Sequence, residues 1–151
     1  MPGPRDPQQY QYLYVKKNID LTKIIQLGLT LSDEEGNLPL PVSTWQFNFD
    51  FNEEKEQKEA SSFDLLLKSG IDFTLLKSHG INPTYFGEKF IQSGLVMNDK
   101  LTWVCFAGSF DMAYLLKILT SEKTPQQKNV FHRYLDIFFP KLLDIKSFVR
   151  H

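Results

Sequence analysis

One stretch constrains this chain more than any other: Thr102-Trp103-Val104-Cys105-Phe106-Ala107-Gly108-Ser109-Phe110-Asp111-Met112-Ala113-Tyr114-Leu115-Leu116. Its first half is β-branched and aromatic and predicts a short buried strand. Ala107-Gly108-Ser109 breaks that pattern and starts a helix. Met112, Leu115, Leu116 and Leu119 then fall at i, i+3, i+4 and i+7, which makes one apolar helical stripe. Asp111 sits on the first helical turn, just past the carboxyl end of the strand, where ligand sites of open α/β sheets tend to lie. From the residues alone two readings of Asp111 stand. The plainer is a carboxylate that favours the positive end of the helix; the other is a functional group.

The flanking segments predict an α/β mixture around a mixed sheet. Met1 to Pro7 reads as loop. Gln8 to Asp20 reads as a helix with Tyr10, Leu13, Tyr14 and Lys17 at helical spacing, and with Lys16 and Lys17 on a solvated face. Ile24 to Leu31 reads as a well-buried strand. Asp33-Glu34-Glu35-Gly36-Asn37 is turn chemistry. Thr44 to Phe51 alternates apolar with polar, a half-buried strand that pairs with the previous one as an antiparallel hairpin. Asn52 to Glu59 is a charge-rich connector, and its glutamates, interleaved with Lys55 and Lys58, read as solvated rather than as metal ligands.

A helix follows, with Ser61 and Asp64 as its capping box and Gly70 as its stop. A second helical piece covers Asp72 to Ser78 and closes at Gly80. A third starts from Asn82-Pro83, buries Phe86 and Phe90, and stops at Gly94. After the Asp111 helix, Thr124 and Gln127 predict another cap. The next helix carries Val130, Tyr134, Ile137 and Phe138 on one face, with Phe131 and Leu135 beside it, and ends at Pro140. Lys141 to Ile145 reads as a brief strand.

Composition narrows the function classes. The 151 residues fit one domain. At 42% hydrophobic, with 13 phenylalanines, they can build a core. A formal net charge of −1 gives no global basic field for nucleic acid or membrane, although a metal-dependent nuclease site is itself acidic. Cys105 stands alone, so no internal disulfide forms, and inside an apolar strand it reads as an inert buried thiol. No signal peptide and no bilayer-spanning apolar run is evident, which reads as a soluble intracellular chain. There is no phosphate-cradling glycine loop, no Cys/His metal cluster and no Ser-His-Asp pattern. His79, His132 and His151 are scattered and read as surface histidines.

Several long segments resemble the Ccr-associated-factor/Pop deadenylases, the nuclease subunits of the Ccr-Not complex. The hallmark is Asn18-Ile19-Asp20-Leu21-Thr22-Lys23-Ile24-Ile25-Gln26-Leu27-Gly28-Leu29-Thr30. It is joined by Ser43 to Phe49, Leu65 to Phe73, Trp103 to Thr120 and Phe138 to Lys146. The resemblance implies a ribonuclease-H-like fold over residues 1–151 and 3′→5′ trimming of poly(A) RNA in mRNA decay. It also implies Mg²⁺ or Mn²⁺ held by four acidic residues, binding to the Ccr-Not scaffold and a partner nuclease, no membrane, and a place in nucleus and cytoplasm. Two such ions, about 3.5–4 Å apart, activate water and stabilise the leaving oxygen, and hard cations suit carboxylates. Asp111 aligns with the third acidic residue, which makes it the candidate catalytic and metal-binding position.

The departures from the family are specific. The first motif, Asp-Thr-Glu-Phe-Pro-Gly, survives only as Pro2-Gly3 behind Met1, and the last acidic residue is not present. Beside Asp111 the family's usual histidine is Ala107 and its usual tyrosine is Phe110. One carboxylate cannot hold two divalent ions tightly, so the chain as written is expected to show no deadenylation. The missing motif lies on a central strand of the family sheet, between the strands carrying Leu27 and Val104, so a marginal or partner-stabilised fold is expected. The leading reading is a truncated family member whose activity belongs to a longer form. The alternative is a degenerate, non-catalytic member that still binds Ccr-Not partners. A third, an unrelated α/β domain, is set aside by the length of the resemblance.

Overall fold

The computed structural model describes residues 7–149; of the loop expected over Met1 to Pro7, all but Pro7 lies outside the described residues, as does the terminal His151, and Pro7 starts the first helix instead. The elements are α1 (Pro7–Leu21), β1 (Gln26–Thr30), β2 (Thr44–Asn48), α2 (Ala60–Lys68), α3 (Phe73–His79) and α4 (Pro83–Gln92). They continue as β3 (Trp103–Cys105), α5 (Ser109–Thr120), α6 (Lys128–Phe138) and β4 (Leu142–Asp144). Two compact units result. One is Ile24–Pro83; the other joins Met1–Lys23 to Thr84–His151.

In the unit Ile24–Pro83, β1 and β2 form the expected antiparallel hairpin, with Leu27 opposite Phe47 and Leu29 opposite Trp45. The side chains of Thr30 and Thr44 meet at 3.0 Å at the end next to the connecting loop. Asp33 holds the connection by accepting from Glu35 N and Asn37 N, and Gly36 takes the positive φ of 85° that this turn requires. The core of the unit is Phe51, Phe63, Phe73 and Leu76, with Ile25, Leu66 and Ile71 packed on it. The Phe63 and Phe73 rings lie 4.3 Å apart.

Two expectations fail in this unit. β1 is not well buried: its residues alternate between half-buried and exposed. A two-stranded sheet covers too little of a strand, and among the described residues β1 pairs only with β2. The helix cap also differs. Glu59, not the Ser61–Asp64 pair, caps α2, accepting from Ser61 N and Ser62 N. A carboxylate at the positive helix end combines the capping bonds with the dipole. Hydrogen bonds from Ser61 and Ser62 hold the Glu59 carboxyl down at about 2.

In the other unit α5 is the central element. Met112, Ala113, Leu115, Leu116, Ile118 and Leu119 are all buried, so the predicted stripe is the core face. α1 packs on α5, with Lys117 Nζ donating to Ile19 O at 2.7 Å and Thr22 O at 2.8 Å. An ammonium on the last carbonyls of a helix satisfies orphan acceptors and opposes the negative dipole end. α4 approaches α5 at Gly87, where a Cβ would lie 2.4 Å from Ile118 O. Phe86 and Phe90 are buried as expected, their rings stacked at 5.1 Å. Trp103 packs edge-on against Phe139 at 4.9 Å and donates its indole N–H to Leu95 O at 3.0 Å.

Sequence patterning misreads α1, the start of α6 and the face of α6. Tyr12, Lys16 and Ile19 are the buried residues of α1, while Tyr10, Tyr14 and Lys17 face solvent. Lys16 is therefore no surface charge. It forms an ion pair with Asp20, whose other oxygen accepts from Thr124 N at 2.9 Å. Thr124 thereby serves α1 instead of capping α6, which starts without a side-chain cap. On α6 the buried residue is Phe131, and Ile137 is exposed. Phe131 is claimed by the Tyr12 ring, 5.4 Å away.

Candidate functional site

The brief strand expected over Lys141 to Ile145 is real and explains the geometry around Asp111. β4 pairs with β3 in parallel, with Trp103 opposite Leu142, Val104 opposite Leu143 and Cys105 opposite Asp144. Among the described residues there are thus an antiparallel and a parallel pair of strands, each a two-stranded sheet. β3 is not fully buried as expected. Its Val104 side faces solvent, 57% exposed, together with Phe106, Leu143 and Ile145. The opposite side packs through Trp103.

Between β3 and α5 the backbone turns sharply. Ala107 takes a positive φ of 54°, and Gly108 follows at φ −77° as the first half-turn of α5. Successive residues of left- and right-handed conformation point their N–H groups into one concavity, which attracts an anion. The anion here is internal. The Asp144 carboxylate accepts from Ala107 N at 2.8 Å and from Gly108 N at 3.0 Å, and also from Lys146 N at 3.1 Å. The Ala107 bond and its companions hold the Asp144 carboxyl below the usual carboxylate range. Gly108 is required sterically, because a Cβ there would stand 2.5 Å from Cys105 Sγ. Burial, with the Asp144 charge adding to it, pushes the Cys105 thiol up. The thiol is half-buried, not buried as expected from the sequence.

Asp111 lies on the first turn of α5, as expected, and its side chain is exposed. Phe110 beside it is 39% exposed. Among the described residues no group of three or more His, Cys, Asp or Glu side chains could hold a metal ion. The residues present do not fit a two-metal centre: they offer one solvent-facing carboxylate on a helix start. His79 and His132 are exposed, and His79 Nδ1 is engaged with Ser78 Oγ at 2.8 Å. Of the glutamates in the connector, Glu53, Glu54 and Glu59 are exposed; Glu54 pairs with Lys77 at 3.1 Å and Glu59 caps α2. Asp144 is the group that sequence reasoning missed. Its only signal is an acidic residue closing a three-residue strand, and that gains meaning only once β4 is paired with β3.

Comparison with known proteins gives close relatives. The chain is 44% identical over 146 residues to poly(A) ribonuclease pop2 of Schizosaccharomyces pombe, which covers 97% of this chain and 44% of that protein. It is 39% identical over 148 residues to probable CCR4-associated factor 1 homolog 7 of Arabidopsis thaliana, covering 94% of this chain and 54% of the relative. The chain belongs to the Pop2/CCR4-associated factor 1 family. It spans about half the length of the relatives it matches. No protein-family model matches it.

Solved structures of the family agree with the fold. The S. pombe Pop2p structure in its Mg²⁺- and Mn²⁺-bound form matches with a TM-score of 0.93 and 44% identity, over 97% of this chain and 58% of that one. A yeast NOT1 MIF4G domain co-crystallised with CAF1 matches with a TM-score of 0.81 and 33% identity, over 95% of this chain and 55% of that one. The RNase domain of yeast Pop2 matches with a TM-score of 0.85 and 37% identity, over 93% of this chain and 56% of that one. The fold class is therefore ribonuclease-H-like α/β, as the resemblance implied. Divalent metal belongs to the family through the S. pombe structure.

Proposed function

We propose that this chain is the Asp111-bearing part of a poly(A)-specific 3′→5′ exoribonuclease of the Ccr-Not complex, and that it does not trim poly(A) by itself. The observation that carries the reading is Asp111 exposed on the first turn of a helix that leaves a strand, inside a fold 44% identical to S. pombe pop2. A carboxylate there is free to take a hard cation. With no third donor gathered near it among the described residues, catalysis requires acidic groups from additional polypeptide. Incubating the purified chain with oligo(A) and Mg²⁺ or Mn²⁺ tests this. No shortening is expected; trimming that disappears in Asp111→Ala overturns it. The intact mass from the native source separates the readings further. A mass well above 17.6 kDa means that a longer form exists, whose activity the same RNA assay then tests and whose expected place is nucleus and cytoplasm.

A second reading has an observation of its own. Ala107 and Phe110 replace polar family residues beside Asp111 with side chains that cannot hydrogen-bond. A non-catalytic family member would still bind the scaffold that the yeast NOT1 complex exemplifies. Capture of the chain by a NOT1 MIF4G domain, without trimming by any form from the native source, would favour it.

A further inference from the structure

We infer that Asp144 is the positioning residue for Asp111. It fixes the turn from which α5 presents that carboxylate, and so governs a group it does not touch. The inference rests on the functional reading of Asp111 for its significance, but on separate geometry for its truth. Three facts carry it. The Asp144 carboxylate spans the two successive N–H groups of Ala107 and Gly108, at 2.8 and 3.0 Å. Those residues directly precede Ser109, where α5 begins, and Asp111 lies within its first turn. Ala107 is a non-glycine residue at φ 54°, a strained conformation that persists only when its surroundings impose it.

The Cys105 thiol also meets the Gly108 N–H, but the carboxylate that spans both N–H groups is that of Asp144. Charge-assisted bonds of this kind are roughly twice as strong as neutral ones. With Asp144 removed, the left-handed residue loses its restraint and the start of α5 is free to reorganise. The helix body, anchored by Leu115, Leu116 and Leu119, stays in place. A carboxylate displaced by about 1 Å no longer meets a ligand geometry that must be held within about 0.5 Å.

The sole cysteine supplies the probe, because the Gly108 backbone closes over Cys105 Sγ. The experiment compares the full chain with its Asp144→Asn and Asp144→Ala variants. It measures Cys105 labelling by a disulfide reagent across pH, and amide shifts of the ¹⁵N-labelled proteins. Loss of the Asp144 charge alone slides the pH–rate profile without raising its plateau; opening of the turn raises the plateau. The expected result is a plateau roughly tenfold higher in Asp144→Ala and intermediate in Asp144→Asn. Amide shifts should move from Ala107 through Asp111 and stay put from Leu115 to Leu119. Plateaus equal to the parent's, or unchanged Phe110 and Asp111 amides, overturn the inference. So does a plateau that rises only as the whole chain melts, which circular dichroism at the same temperature reports. Asp111→Asn should leave the plateau unchanged, since loss of its charge only slides the profile along pH. Failure of the functional reading therefore shows up in the RNA assay alone, and failure of the positioning role in the thiol and amide measurements alone.

Discussion

At the scale of single residues, strain and charge make opposite demands on the site. Ala107 occupies a left-handed conformation that glycine adopts without penalty. Ala107→Gly is expected to raise stability by about 1 kcal/mol, read as a higher denaturant midpoint at unchanged slope. Gly108→Ala has the reverse sign. Its Cβ meets Cys105 Sγ and Cβ at 2.5 and 2.8 Å, so a loss of about 1–3 kcal/mol is expected. Asp20 sets the acid response. Burial pushes its carboxyl up, but bonds from Lys16 and Thr124 outweigh that, and the net shift is below the ordinary value of 3.8. A lowered folded pKa means the contribution is complete above pH 3.8 and is lost as pH falls below it. The acid limb of a stability–pH curve should flatten in Asp20→Asn. That variant should also lose about 3 kcal/mol near neutrality by leaving the buried Lys16 uncompensated.

At the scale of elements, the approach of α4 to α5 at Gly87 is directly testable. Gly87→Ala places a methyl 2.4 Å from Ile118 O, which backbone cannot yield cheaply. About 1–3 kcal/mol of destabilisation is expected in thermal melts, and a neutral result would mean that α4 is not seated as described. Elements also show what the sequence discloses. The α5 stripe was legible because Met112, Leu115, Leu116 and Leu119 obey one local period. The hairpin was legible from alternation, and Asp111's place from the strand–turn–helix order. Lys16 was not, because its burial depends on Asp20 and Thr124, a partner 104 positions from Asp20. Glu59 displaced the Ser61–Asp64 cap because two carboxylate oxygens two residues before Ser61 reach both N–H groups at once. Asp144 stayed hidden for the same reason as Lys16: its role exists only in the register of β3 with β4.

At the scale of the whole molecule, sheet is scarce. Each sheet has two strands among the described residues, and two-stranded ribbons are marginal without further cover. Val104, Phe106, Leu143 and Ile145 remain exposed on one side of β3 and β4. The isolated chain is therefore expected to melt below about 60 °C, the upper part of the mesophile range, and to bind an apolar dye before the transition. A cooperative melt above that temperature, with no dye binding, would show that the helices alone suffice. The bond from Gly108 N to Asp144 has a last consequence, in time. The clamp lies 36 residues downstream of the turn it closes. A ribosome adding about 5–20 residues per second makes the clamp roughly two to seven seconds after the turn. During synthesis the residues of α5 are thus all in place while its first turn is still unfastened, and the Asp111 end of the helix is fixed only once Asp144 has been added.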